Sequence, residues 1–247
     1  MKRDEAPVKV LYIMGSGRSG STVLDIVLGN HPVMESVGEL TNLPRSGWGG
    51  APVTRSSICA CGRRVADCPF WSAVRREWVA RVGEEGAARY PTLRASFERY
   101  RRLPRLLAEL RRPSDRFREY GGLTRALFEA IRATSGKEVV VDSSKNPLRA
   151  LALSDTPGVD LRLIHLTRDA RGVVASRKKA FKKDEGAGLA RDIKPQPVWS
   201  SAALWIFFNL LSELACRRVG PEKSVRVRYE AFAQRPAVTL KAIGALV

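Results

Sequence analysis

Apolar residues fall in short unbroken runs separated by longer stretches with helical spacing. Residues 8–14 (VKVLYIM) read as a buried strand and 20–30 as a helix, which His31-Pro32 ends because a residue before proline avoids the helical region. Residues 33–37 read as a short strand leading to Gly38-Glu39, and 41–69, rich in Gly, Pro and Ser, as a long loop. From Trp71 to Arg132 the pattern is helical and strongly basic, broken at Gly83, Pro91, Pro104 and Pro113. Three or four helices are expected there, packed to one side as an insertion over about residues 70–135. Gly136 ends that region, and Lys137 to Val141 (KEVVV) forms a buried strand stopping at Asp142.

Beyond it come a short helix at 147–153, a strand at 161–166 (LRLIHL) and a helix at 170–181. Residues 182–197 read as a mobile loop, and 198–219 as the longest apolar helix, expected in the core. An alternating strand at 223–228 and mostly helix over 232–247 complete the pattern. Strands alternating with helices predict an α/β fold: three layers, a parallel sheet of P-loop-like type flanked by helices, with right-handed crossovers. At 247 residues one domain with a large core is expected. Ligands of such sheets sit at the carboxyl ends of the strands. That rule puts Gly15–Thr22, Asp142–Lys145, Thr167–Asp169 and Tyr229–Glu230 along one rim.

The first of these stretches carries the strongest chemical signal. A strand breaks at Gly15 into GSGRSGST, and a helix follows. Glycines let the backbone wrap an anion, and N–H groups at the helix start point toward it. Gly15, Gly20 and Thr22 fit the Walker A spacing, but Ser21 stands where that motif needs lysine. Arg18 is the nearest cation. The loop therefore suits an anion other than a nucleoside triphosphate. On the rim, Arg168 follows a strand and Ser176 lies eight residues later, two turns into the next helix. A guanidinium and a hydroxyl so placed can converge on one phosphate.

Composition narrows the partners. Net charge is +18, and lysine supplies only 11 of the 43 basic residues. Nucleic acid, an acidic membrane and anionic small molecules are the compatible classes. The basic helices lack the aromatic interleaving of single-strand binders, which favours an anionic cofactor and an acidic acceptor over specific nucleic acid. No apolar run of 18 residues exists, so no transmembrane helix is expected, and the N-terminal apolar run is too short for a signal peptide. A cytoplasmic protein is the expectation.

Taken together, the motifs resemble those of sulfotransferases that use 3′-phosphoadenosine 5′-phosphosulfate. GSGRSGST resembles the 5′-phosphosulfate loop, and LIHLTRDARGVVASR the 3′-phosphate segment. The resemblance implies that Gly17, Arg18, Ser19, Gly20, Ser21 and Thr22 cradle the phosphosulfate. It implies that Arg168 and Ser176 hold the 3′-phosphate and that Tyr229, of the late Tyr229-Glu230 pair, lies near the cofactor. His31-Pro32 followed by Gly38-Glu39 resembles a segment of the tyrosylprotein branch, and the motifs as a whole lie nearest the tyrosylprotein and carbohydrate branches. Glu39, 21 residues after Arg18, is the implied base, with Glu35 a second candidate. DSSKNP places Lys145 where the family contacts the transferring group.

The implied reaction moves a sulfonate to a hydroxyl or amine of an unidentified small-molecule, glycan, lipid or peptide acceptor. The bisphosphate is the product, no metal is required, and a homodimer is an admissible assembly. The family continues past this point with a later basic element, so the chain is expected to be incomplete at its C-terminus. The rivals are a P-loop kinase, with VVVD ending at Asp142 as its Walker B strand, and a non-catalytic nucleotide- or nucleic-acid-binding remnant. Cys59-x-Cys61 and Cys68 have a first gap too short for common zinc spacing and no nearby fourth ligand. Packed thiols or a disulfide are favoured there over metal, and the similar CxCG…CPFW segment of bacterial relatives implies a structural role. His31 reads as a capping or packing residue and His165 as a strand residue facing inward or outward, and neither is favoured as the base.

Overall fold

The computed structural model describes residues 6–43, 48, 58–179 and 194–247. Five parallel strands form one sheet in the order β2-β3-β1-β4-β5. They are β1 (Val8–Met14), β2 (Met34–Ser36), β3 (Val139–Lys145), β4 (Val159–Thr167) and β5 (Ser224–Arg228). The helices are α1 (Ser21–Gly29), α2 (Pro69–Phe97), α3 (Leu103–Glu109), α4 (Asp115–Ser135), α5 (Pro147–Leu153), α6 (Ala170–Arg177), α7 (Val198–Val219), α8 (Tyr229–Gln234) and α9 (Pro236–Gly244).

Alternation along β1 divides the core. Val8, Val10, Tyr12 and Met14 face a cluster built with α2, α4, α5 and α7. Leu11 and Ile13 face the opposite cluster, with Leu24 and Leu28 of α1, Phe232 of α8 and Ile243 of α9. Successive side chains of a strand point to opposite faces, so an apolar strand needs helices on both. The result is the expected three-layer α/β architecture.

The basic region 69–135 lies between β2 and β3. Pro104 opens α3 and Ser114 caps α4, its side chain accepting from Phe117 N–H. Gly83 interrupts α2 with φ 74° and ψ 161°, but Pro91 lies inside the helix and does not end it. Proline removes one donor there. Tyr90, Leu93 and Phe97, all buried, hold this stretch against the core and offset the loss.

Four further expectations are corrected. β3 runs on through Asp142 to Lys145 where a turn was expected, because a bulge lets Met14 pair with Lys145. The helix expected over 170–181 ends at Arg177. The last helical stretch starts at Tyr229 and breaks at Arg235, where Pro236 begins a new helix. The fourth concerns α7, expected as a core helix, which by length and composition alone is long and apolar enough to cross a membrane. It is also only partly a core helix. Leu211, Ser212 and Ala215 are buried, whereas Trp199 is 76% and Leu210 65% exposed. The loop expected at 182–197 falls mostly outside the described residues.

A buried polar network ties the insertion to the sheet. Arg149 donates from Nε to Asp142 Oδ2 at 3.1 Å and from Nη1 to Glu98 Oε1 at 2.7 Å, and Tyr120 Oη donates to the same Glu98 oxygen at 2.7 Å. Breaking such a pair by removing one partner costs about 3–5 kcal/mol, because it leaves a buried charge uncompensated. The network thereby fixes the end of β3, which carries Lys145.

Candidate active site

The loop after β1 is shaped by close approach. A Cβ on Gly15 would lie 2.2 Å from the Leu166 carbonyl oxygen, so only glycine lets β1 end against β4. Gly15 N–H donates to the Lys145 carbonyl at 3.3 Å, which joins the loop to the end of β3. Gly20 is the N-cap of α1 in the left-handed conformation, with no side chain capping the helix. Val23 N–H donates to the Gly20 carbonyl at 3.1 Å, which leaves the earlier first-turn N–H groups, those of Ser21 and Thr22, for an external acceptor. Ser21 is buried, and Thr22 is exposed at the same helix start. Ser19 is buried too, and its Oγ has no hydrogen-bond partner.

Three other strand ends meet this loop. Arg168, after β4, donates from Nη1 to the Arg18 carbonyl at 3.0 Å. Its guanidinium also stands 4.6 Å from the ring centroid of Tyr229, which opens α8 after β5. The Tyr229 ring lies against Gly20, where an added Cβ would come within 2.4 Å of it. Arg168 is anchored by its own carbonyl, which accepts from Trp205 Nε1 of α7 at 2.9 Å. Asp169 caps α6 by accepting from Arg171 N–H, and Arg171 holds its carboxyl down to about 2. Ser176 lies two turns into α6 and is half-buried.

On the other side of the loop, Lys145 Nζ pairs directly with Glu39 Oε1, and Glu39 Oε2 accepts from Asn42 Nδ2 at 3.0 Å. Glu39 and Lys145, two of the three expected catalytic side chains with Arg18, therefore meet. Thr41 N–H donates to Ser144 Oγ at 3.0 Å, and Ser144 N–H donates to Asp142 Oδ1 at 2.9 Å, so the Glu39 turn is docked on the end of β3. Glu35 sits within β2 and pairs with Lys137 at 3.1 Å, which sets it apart from this cluster.

Two residues of the site lie inside segments that the sequence singles out but receive no role from it. Arg177 Nη2 would come 3.7 Å from a Cβ on Gly17, and its buried Nε has no partner. Burial and the charge of Arg18 push its guanidinium below the usual value. It directly follows Ser176, and only the packing of α6 across the loop singles it out among the chain's many arginines. Glu230 accepts from Asp169 N–H at 3.0 Å and so links α8 to the turn bearing Arg168. His165 is engaged at both ring nitrogens, by Glu213 and Asn209 at 2.9 Å each, and His31 Nδ1 accepts from Val33 N–H at 3.4 Å. Both are packing or capping residues. The four cysteines are free thiols, with Cys59, Cys61 and Cys68 gathered and Cys216 apart.

The site thus offers a glycine-lined anion cradle at a helix start, several cations from separate elements and one exposed carboxylate beside a lysine. Comparison with solved structures places this arrangement in a known fold. The sulfotransferase domain from the Synechococcus PCC 7002 olefin synthase matches with a TM-score of 0.51 and 19% identity, covering 100% of this chain and 76% of that one. The sulfotransferase domain from the curacin biosynthetic pathway matches at 0.51 and 16%, covering 98% and 74%. Sulfotransferase STF9 from Mycobacterium avium matches at 0.52 and 15%, covering 98% of this chain and 64% of that one. No curated protein matches the chain. A model of the sulfotransferase family matches residues 11–246, nearly the whole chain, and the protein belongs to that family.

Proposed function

We propose that this sulfotransferase takes its sulfonate from 3′-phosphoadenosine 5′-phosphosulfate and passes it, in line, to a hydroxyl or amine of a small-molecule, glycan, lipid or peptide acceptor. The observation that carries the donor assignment is the packing of Arg168, Arg177 and Tyr229 against the loop Gly15–Thr22. A donor with phosphates at both ends of a ribose needs two anion sites close together. The cradle supplies one, and Arg168 with the neighbouring Ser176 helix supplies the second. Two buried atoms lacking partners, Ser19 Oγ and Arg177 Nε, fit such a ligand, since buried polar groups are normally satisfied.

In the reaction the acceptor oxygen or nitrogen bonds to sulfur while the sulfur–oxygen bond to the 5′-phosphate breaks. Glu39 takes the acceptor's proton, a role worth about 10²–10⁴-fold. Arg18 and Lys145 neutralise charge developing on the bridging oxygen and the departing bisphosphate. The Glu39–Lys145 pair holds both groups oriented until the acceptor enters. The kinase rival is disfavoured by Asp142. Its oxygens are bound by Ser144 and Arg149, so it is engaged in structure where a Walker B aspartate would serve Mg²⁺.

Isothermal titration tests the donor. Adenosine 3′,5′-bisphosphate should bind tightly with EDTA present, and Mg²⁺-dependent ATP binding in its place would overturn the assignment. A labelled-sulfonate transfer screen against cell extract would then find the acceptor.

A further inference from the structure

Just before α2 the chain makes a tight reversal. Ile58 and Arg64 form an isolated antiparallel bridge. Cys59 N–H donates to the Arg63 carbonyl at 2.8 Å, and Gly62 N–H donates to the Cys59 carbonyl at 2.9 Å. Gly62 turns the corner with φ 81°, a conformation that favours glycine. The reversal brings Cys59 and Cys61 beside Cys68, the N-cap of α2. Cys68 Sγ lies 3.5 Å from Cys59 Sγ and 3.7 Å from Cys61 Sγ, and all three sulfurs fall within 4.8 Å of one another.

These separations differ from those of a disulfide, whose sulfurs stand about 2.05 Å apart. They match a metal site much better. Thiolates about 2.3 Å from a tetrahedral zinc ion stand roughly 3.8 Å from each other. Burial is graded from Cys68, buried, through Cys59 to Cys61, exposed, so the fourth corner of the tetrahedron opens toward solvent. Among the described residues no other His, Cys, Asp or Glu joins the group. The stretch 44–57 contains none of these residue types either.

We propose that Cys59, Cys61 and Cys68 form a structural zinc site, three thiolates with water or a small-molecule thiol as the fourth ligand. It stands apart from the transfer chemistry. Cys68 belongs to the same buried cluster as Trp71 and Trp78, and Trp48 stacks on Trp78 with ring centroids 5.6 Å apart. Metal at this junction would pin the far end of the segment that leaves the site at Glu39, and would fasten it to the start of α2.

Elemental analysis of the full chain, purified without chelator and then incubated with Zn²⁺ and desalted, tests the site. Equimolar zinc is expected, retained in Cys216→Ser and lost in Cys61→Ser and Cys68→Ser. Cys68 is buried, so its variant also tests folding. Cys61 is exposed, and its variant should keep the native circular dichroism while losing zinc. Replacement by Co²⁺ should give a thiolate-to-cobalt charge-transfer band that Cys61→Ser lacks. Zinc no higher in the native chain than in Cys61→Ser, or an intact mass two hydrogens light from a disulfide among the three, would overturn the proposal.

Discussion

Arg168 gives the sharpest test of the donor site, because its structural and ligand-binding roles separate. Replacing Arg168 with alanine removes the bond to the Arg18 carbonyl and the stacking on Tyr229. The stacking is worth about 0.5–1 kcal/mol at an exposed position. Losing either contact loosens the loop, and the loosening weakens any nucleotide that uses the cradle. The proposed contact to the 3′-phosphate is different, since it is lost only to a ligand that has that phosphate. Each charge-assisted bond contributes about 1.5–3 kcal/mol. Calorimetry with adenosine 3′,5′-bisphosphate and adenosine 5′-monophosphate, on native protein and Arg168→Ala at one ionic strength, closes a thermodynamic cycle. The variant should lose roughly 10- to 150-fold more affinity for the bisphosphate than for the monophosphate. Equal losses for the two nucleotides would refute a 3′-phosphate site at Arg168, however large those losses were.

Glu39→Gln should lower sulfonate transfer about 10²–10⁴-fold while leaving bisphosphate affinity within a few-fold, and parallel losses in both would remove Glu39 from the base role. Gly20→Ala places a Cβ 2.4 Å from the Tyr229 ring at φ 88°. Its cost in urea unfolding should shrink to the backbone strain alone, about 1–2 kcal/mol, in a Tyr229→Ala background, and a background-independent cost would deny the contact. Burial pushes the His165 imidazole below its ordinary value, so the unfolded chain binds the extra proton first. Stability is then full above about pH 6.5 and falls as the pH drops through that window. Urea midpoints at about pH 7.5 and about pH 5.5 should converge in His165→Gln, and an unchanged difference would assign the effect elsewhere.

Much of this site was legible because its parts announce themselves locally. A seven-residue apolar strand, a glycine-rich break and a renewed helical period need no tertiary knowledge. The same holds for Arg168 and Ser176, whose eight-residue spacing sits on one strand–turn–helix unit. The rest depends on packing between distant segments. Arg177 looks like any basic residue at a helix end until α6 is laid across the loop. Glu230 is legible as half of the Tyr229-Glu230 pair, but its bond to the N–H of Asp169, 61 residues away, is not. Pro91 misleads because a local penalty is outweighed by its buried neighbours. The apolar face of α7 misleads in the opposite sense. Composition reports its hydrophobicity, but not that one side alone rests on the sheet layer. Its inner side still serves the site, through Trp205 on Arg168 and Asn209 on His165.

The missing lysine at position 21 changes the electrostatics of the cradle as well as its specificity. A Walker lysine brings one cation in from the helix start, already aligned with the terminal phosphates of a triphosphate. Here the helix start carries Ser21, and positive charge arrives from Arg18 in the loop, Lys145 at the end of β3, Arg168 after β4 and Arg177 in α6. Arg18 and Lys145 are also the two non-glycine residues with positive φ among those described, at 72° and 65°. Holding a side chain there costs about 1–2 kcal/mol, and such strain persists where the surroundings over-determine it. At Lys145 the surroundings are visible: the bulge against Met14, the Gly15 N–H on its carbonyl and the buried Asp142–Arg149 pair behind it. The strain therefore falls on two cations flanking one cradle, which is where a transferring group of fixed charge and geometry would need them held.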